Sequence, residues 1–292
     1  MWVPLATHQP YPSGYPLSPG AAWGAAPAVL APILLVALLY LSGWTTLRRR
    51  MPERFGVRRA LAFSTGLAVL VGALASPLDE LGHHLLLAHM IQHLLLMAVA
   101  PPLLWAGAPV APMLLGLPKG LRRRVAVALA WAPTRRVARV LADPRVSWVA
   151  FVVAFWTWHV PALFDLALRA DSWHHLEHAC FFGTALLFWR PVILAWPARS
   201  AWPRWTMIPY LALAEVQNGM LAAILTFSDR VIYPAYAAAT RAGTLTALED
   251  QSVAGVIMWV PGSLAFLVPA LWLVVTTMTA APHERPVASL PK

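Results

Sequence analysis

Ten histidines occur in the chain, and eight of them fall in two stretches. His83, His84, His89 and His93 make up the first, and His159, His174, His175 and His178 the second. Residues four apart on an α-helix share a face, so His89 and His93 are neighbours and Met97 continues their stripe one turn further. At ~1.5 Å rise per residue, His93 lies roughly 15 Å along the helix from His83. His174 and His178 repeat the spacing, with His175 and Glu177 beside them, and His159 stands just before Pro161. Neutral imidazole and thioether sulfur are ligands that suit copper, thioether favouring Cu(I). The candidate ligands are His89, His93, His159 and His178, with His174, Met97, Met220 and Met258 as softer members. Met97 taken by itself reads first as a packing methionine, and one interfacial histidine can simply mark a helix end. The bunching of eight is what points to a site.

Gln92, Glu177, Gln217, Glu249 and Asp250 are the polar residues placed to support such a site. Glu215 lies within an apolar run, where a carboxylate needs a proton or a partner. Gln217 and Asn218 also suit plain interhelical hydrogen bonding. His174-His175-Leu176-Glu177-His178 fits the inverted zinc-peptidase pattern H-x-x-E-H, with Glu177 as general base and Glu249 as a distant third ligand. Five residues match easily by chance in a histidine-rich chain, so this peptidase reading ranks last.

The elements that must carry these residues follow from composition. Of 292 residues, 59% are apolar and 12% charged, against roughly 45–50% and about 25% in an average soluble domain. An ordinary soluble globule and a disordered chain are excluded. A disulfide scaffold is excluded too, because Cys180 is the sole cysteine. The expected fold is all-α, an integral membrane bundle of seven transmembrane helices. The spans are Ala26–Leu47, Ala60–Ala75, Leu85–Ala106, Val146–Val160, His174–Leu194, Trp205–Phe227 and Val253–Thr279. Residues 1–25 form an extracytoplasmic tail, 26–280 the transmembrane domain and 281–292 a cytoplasmic tail. On that topology 19 of the 22 Lys and Arg residues fall on one side, leaving Arg169, Arg230 and Arg241 on the other. The positive-inside rule makes the rich side cytoplasmic, with the N-terminus outside and the C-terminus inside. The formal charge of +10 then reports orientation, not a nucleic-acid partner. The first 24 residues lack the features of a secretory signal peptide, and no glycine-rich phosphate loop is present. The eight histidines fall at the outer ends, or in the outer halves, of spans three, four and five.

Five ordered blocks carry a family resemblance. The first runs His89-Met90-Ile91-Gln92-His93-Leu94-Leu95-Leu96-Met97 with Ala100-Pro101-Pro102 and Gly107-Ala108-Pro109. The second is Trp158-His159-Val160-Pro161-Ala162-Leu163-Phe164-Asp165. The third pairs Leu176-Glu177-His178 with Phe188-Trp189-Arg190-Pro191-Val192, and the fourth Leu225-Thr226-Phe227-Ser228 with Tyr233-Pro234-Ala235-Tyr236. The last pairs Leu248-Glu249-Asp250-Gln251 with Ile257-Met258-Trp259-Val260-Pro261-Gly262. Together they resemble the polytopic CtaG family of bacterial cytochrome c oxidase assembly factors. The resemblance implies a non-enzymatic role in building haem–copper oxidase, discussed chiefly as supplying copper to the catalytic subunit. Its histidine motifs fall on His89, His93, His159 and His178. Arg190 stands where a second aromatic is expected after Trp189, at the cytoplasmic end and away from the outer site.

The leading expectation is a metallochaperone in the bacterial cytoplasmic membrane. It takes copper from outside, with other copper chaperones as candidate donors, and passes it within the lipid bilayer to the oxidase catalytic subunit. A copper transporter would instead need a polar relay through Glu215, Gln217 and Asn218. A metal-free scaffold for oxidase or haem assembly is the remaining alternative. The copper reading requires imidazoles from spans three, four and five to converge.

Overall fold

A computed structural model describes residues 27–194, 197, 202–238 and 245–279. The two expected tails, with His8 and His283, lie outside the described residues, as do Arg199 and Arg241. Backbone amides in a bilayer must be satisfied within the chain, and helices do this segment by segment. The apolar runs accordingly become helices: α1 (Pro27–Arg50), α2 (Val57–Leu74), α3 (Pro77–His84), α4 (Leu86–Leu94) and α5 (Ala100–Ala106). Next come α6 (Val110–Gly116), α7 (Lys119–Ala130), α8 (Ala132–Leu141), α9 (Pro144–Trp158) and α10 (Pro161–Arg169). The remainder are α11 (Asp171–Ile193), α12 (Met207–Phe227), α13 (Pro234–Ala238) and α14 (Ala247–Thr279). No strand occurs among the described residues.

Five helical segments are long and apolar enough to cross a membrane: α1, α2, Leu86–Ala106, Arg204–Phe227 and α14. The pair α9 and α10, bent by 75°, makes a sixth if counted as one span. Each of the seven expected spans therefore has a helix beneath it, but α11 falls short of the apolarity of the others. It is 23 residues long and carries Asp171, His174, His175, Glu177, His178 and Arg190.

The fourth span does not end in a plain loop. Pro161 lacks the N–H that would continue α9, and the chain breaks at His159 (φ −90°, ψ 0°). The following helix α10 folds back across the end of the bundle. Its Phe164 is buried, stacked on Tyr233 with ring centroids 4.0 Å apart and 5.0 Å from the His89 ring.

Helix α14 lies along α12, and Gly255 allows the close approach. A Cβ there would sit 2.7 Å from the Thr226 backbone nitrogen, a distance real Cβ contacts do not reach. Beneath the histidine end, aromatic rings join α9, α11 and α12. Phe151 stacks on Phe188 at 4.4 Å and Phe188 on Tyr210 at 4.7 Å.

Between α4 and α5 the helix widens into a π-turn, Leu95–Val99. In an α-helix the Met97 carbonyl would accept from residue 101, and in a π-helix from residue 102. Both positions are proline and have no N–H to give. The Trp189 indole nitrogen of α11 donates to the Met97 carbonyl instead, at 2.8 Å. The two prolines thus leave an acceptor that ties the helix bearing His89 and His93 to the helix bearing His174 and His178.

Candidate metal centre

The start of α4 is fixed from another helix. Its N-terminal amides have no intrahelical acceptors, and Leu85 offers no side-chain cap. Asp250, in the first turn of α14, supplies both oxygens: Leu86 N–H donates to Oδ2 at 2.8 Å and Leu87 N–H to Oδ1 at 3.0 Å. One turn on, His89 and His93 point into the bundle, fully or almost fully buried. Gln92 stands between them in sequence but faces α2 and α3, where its amide donates to the Ala73 carbonyl at 2.8 Å and Asp79 Oδ1 at 2.6 Å.

Helix α11 brings His174, Glu177 and His178 to the same place, all buried. Ring centroids are 4.2 Å apart for His89 and His93, 4.1 Å for His174 and His178, 5.4 Å for His89 and His174, and 5.7 Å for His93 and His178. The Glu177 carboxylate lies among them, Oε2 at 3.8 Å from His89 Nε2 and Oε1 at 3.7 Å from His93 Nε2. His159 joins from the break after α9, its centroid 6.0 Å from that of His93. Its Nδ1 is 2.7 Å from the Phe155 carbonyl oxygen, which can only accept. The proton therefore sits on Nδ1, and Nε2 keeps its lone pair for a ligand.

Buried polar atoms normally find partners. Here His89 and His93 have both ring nitrogens unpartnered, as are Nε2 of His159, His174 and His178 and both Glu177 oxygens. Nine orphaned atoms thus gather in one place. Three sets of ligand atoms lie within 4.8 Å of one another: His89 with His174 and Glu177, His93 with Glu177 and His178, and Asp79 with His174 and His178. Asp79 is half-buried at the rim on α3. Burial pushes its carboxyl above the usual range, opposed by the hydrogen bond from Gln92. His83, also on α3, reaches the edge of the cluster with its ring 4.9 Å from that of His174.

The other candidates divide. Met97 and Met258 are buried and line a cavity whose wall includes His93 and His159. Met220 is 54% exposed. The inward face of α12 runs through Ala214, Asn218, Leu221 and Leu225, and two residues past Asn218 turns a side chain to the opposite face. Glu249 is exposed and closes a capping box with Thr246: Thr246 N–H donates to Oε2 at 2.7 Å, and Glu249 N–H to the Thr246 hydroxyl at 3.2 Å. The carboxylate suggested as a third peptidase ligand thus serves a helix end. Gln217 accepts from the Trp156 indole at 3.1 Å, Asn218 donates to the Met258 carbonyl at 3.0 Å, and Glu215 is held by Ser263. Arg190, at the other end of α11, donates to the Ala142 carbonyl at 3.4 Å.

Sequence spacing missed the tyrosines. Tyr233 donates to the His159 carbonyl at 3.2 Å, and Tyr236 to that of Gly82. It also missed the Phe164 roof and Asp79, which no pattern local to the histidines signals.

Residues 38–280 match the family model of the cytochrome c oxidase caa3 assembly factor, CtaG. The chain belongs to this family. Similar proteins include uncharacterized proteins of Mycobacterium bovis and Mycobacterium tuberculosis, each 28% identical over 272 residues, with 88% of this chain and 39% of the relative covered. A third, from Mycobacterium leprae, is 24% identical over 239 residues, covering 78% of this chain and 35% of the relative. The chain thus spans well under half the length of these relatives. No solved structure matches it. The family is described as one of cytochrome c oxidase caa3 assembly factors.

Proposed function

We propose that the protein holds copper at the histidine cluster and assists metallation of the cytochrome c oxidase catalytic subunit. The observation that carries this reading is the set of nine unpartnered polar atoms on five histidines and Glu177. Leaving such groups buried and unpaired costs about 1–3 kcal/mol each. A soft or borderline cation satisfies many of them at once, and neutral imidazole is a suitable ligand. Met97 and Met258, in the cavity beside His93 and His159, offer thioethers to Cu(I) on its way out of the cluster. Copper here is cargo, and ligand exchange needs neither a nucleophile nor a general base.

The chain crosses the bacterial cytoplasmic membrane seven times, with α11 as the polar fifth span shielded by its neighbours. The N-terminus and the histidine cluster face outward. The paired helices α7 and α8 support that orientation, since they bury none of their residues and interleave Arg123, Arg124, Arg135 and Arg136 with exposed Val127, Trp131, Val137 and Val140. Such helices lie at an interface facing anionic lipid.

A transport relay is not favoured, because Glu215, Gln217 and Asn218 are each engaged by a neighbouring helix. The peptidase reading loses its third ligand to the α14 cap. A metal-free scaffold leaves the orphaned nitrogens uncompensated. The test is metal analysis of detergent-purified protein after copper loading, with His89→Ala/His93→Ala as the comparison. Copper bound by the wild type and lost in the variant is expected. No copper in the wild type, or equal copper in both, overturns the proposal.

A further inference from the structure

The cluster holds more ligands than one ion can use. Two of the three ligand sets share no histidine: His89 with His174, and His93 with His178, each completed by Glu177. Glu177 belongs to both sets, one oxygen facing His89 and the other His93. Oε2 is 3.8 Å from His89 Nε2, and Oε1 is 3.7 Å from His93 Nε2. Those gaps are too long for hydrogen bonds. Two ligands bound tetrahedrally at ~2.1 Å to one ion are separated by about 3.4 Å, so each His–Glu177 gap closes by a few tenths of an ångström on binding, while His174 and His178 move in from within 4.8 Å. The third set, Asp79 with His174 and His178, borrows one histidine from each pair and cannot be filled alongside them.

On this geometry we propose that the cluster is a two-ion site, with Glu177 bridging one copper held by His89 and His174 to a second held by His93 and His178. The proposal rests on the reading that the cluster binds copper. Charge selects the oxidation state. Uncompensated charge inside a bilayer is costly, and the carboxylates within ligand reach are Glu177 and Asp79. Glu177 alone bridges the pair, so two monovalent ions leave an excess of one positive charge and two divalent ions an excess of three. The cargo is therefore a pair of Cu(I). His159 and the Met97–Met258 cavity adjoin the His93 pair, so that ion is the one placed to leave first.

The test is anaerobic titration of the purified full chain with Cu(I) against a chromophoric chelator, with copper X-ray absorption on the loaded wild type. Two equivalents per chain are expected, with a copper–copper scattering shell. His89→Asn and His93→Asn should each retain one equivalent, and Glu177→Gln should lose the shell and at least one equivalent. Zero equivalents in the wild type overturns both this inference and the copper reading. One equivalent, abolished alike by His89→Asn and His93→Asn, overturns the two-ion site and leaves the copper reading standing. Two equivalents without a copper–copper shell, or with Glu177→Gln unchanged, overturns the bridge. The absorption measurement needs only wild-type protein, so a variant that fails to fold does not decide the matter.

Discussion

Replacing Asp250 tests whether the metal centre is positioned from α14. Asp250→Ala removes the acceptors of two backbone amides, Leu86 N–H at 2.8 Å and Leu87 N–H at 3.0 Å. Hydrogen bonds to a charged group contribute about 1.5–3 kcal/mol each, so the gross loss is roughly 3–6 kcal/mol. Two effects reduce it. The variant no longer has to desolvate a carboxylate that is almost wholly buried, and the half-buried Leu87 amide can recruit water. A net loss of about 2–4 kcal/mol follows, at or above the upper end of ordinary N-cap substitutions. Asp250→Asn keeps one acceptor oxygen and should lose about half as much. The assay is unfolding by denaturing detergent in mixed micelles, with amide hydrogen exchange read at Leu86 and Leu87. Both amides should exchange faster in Asp250→Ala, and copper affinity should fall, because the first turn of α4 carries His89. A loss below about 0.5 kcal/mol, with both amides still protected, would refute the capping role.

Trp189→Phe should cost about 1–2 kcal/mol, because the Met97 carbonyl loses its donor and the prolines at 101 and 102 offer no substitute. Pro101→Ala restores a backbone N–H, so the same unfolding assay should show the double variant losing less than the sum of the two; strict additivity would count against this account. Gly255→Leu should separate α12 from α14 and cost well above the ~1–3 kcal/mol of ordinary overpacking, seen as a lower unfolding midpoint; an unchanged midpoint would contradict the close approach. Copper retention should decline on acidification, because proton and metal compete for the same imidazole lone pair. Dialysis in steps from pH 7.5 to pH 3 followed by metal analysis checks this, and copper unchanged throughout would argue against imidazole ligation.

The helices were legible from composition, since apolar runs of about twenty residues have few other ways to satisfy their backbone in lipid. The i, i+4 pairs His89/His93 and His174/His178 were legible for the same reason: helical periodicity is local, and each pair does share an inward face. Local periodicity could not say which face of α12 turns inward, and Met220 stands exposed because Asn218 and its stripe pack on α14. Nor could it distinguish Glu249, which caps its own helix, from Asp250, which caps α4 from 163–164 residues away. Glu177 read as one polar residue in a peptidase-like string, and only the packing of α11 against α4 set its two oxygens toward two different histidines. The fold-back of α10 was announced by Pro161, yet the place where Phe164 lands depends on Tyr233, 69 residues later. Sequence by itself fixed what each helix carries, because that depends on residues a few positions apart. Tertiary structure alone decided which of those residues meet, because their contacts join segments that share no local pattern.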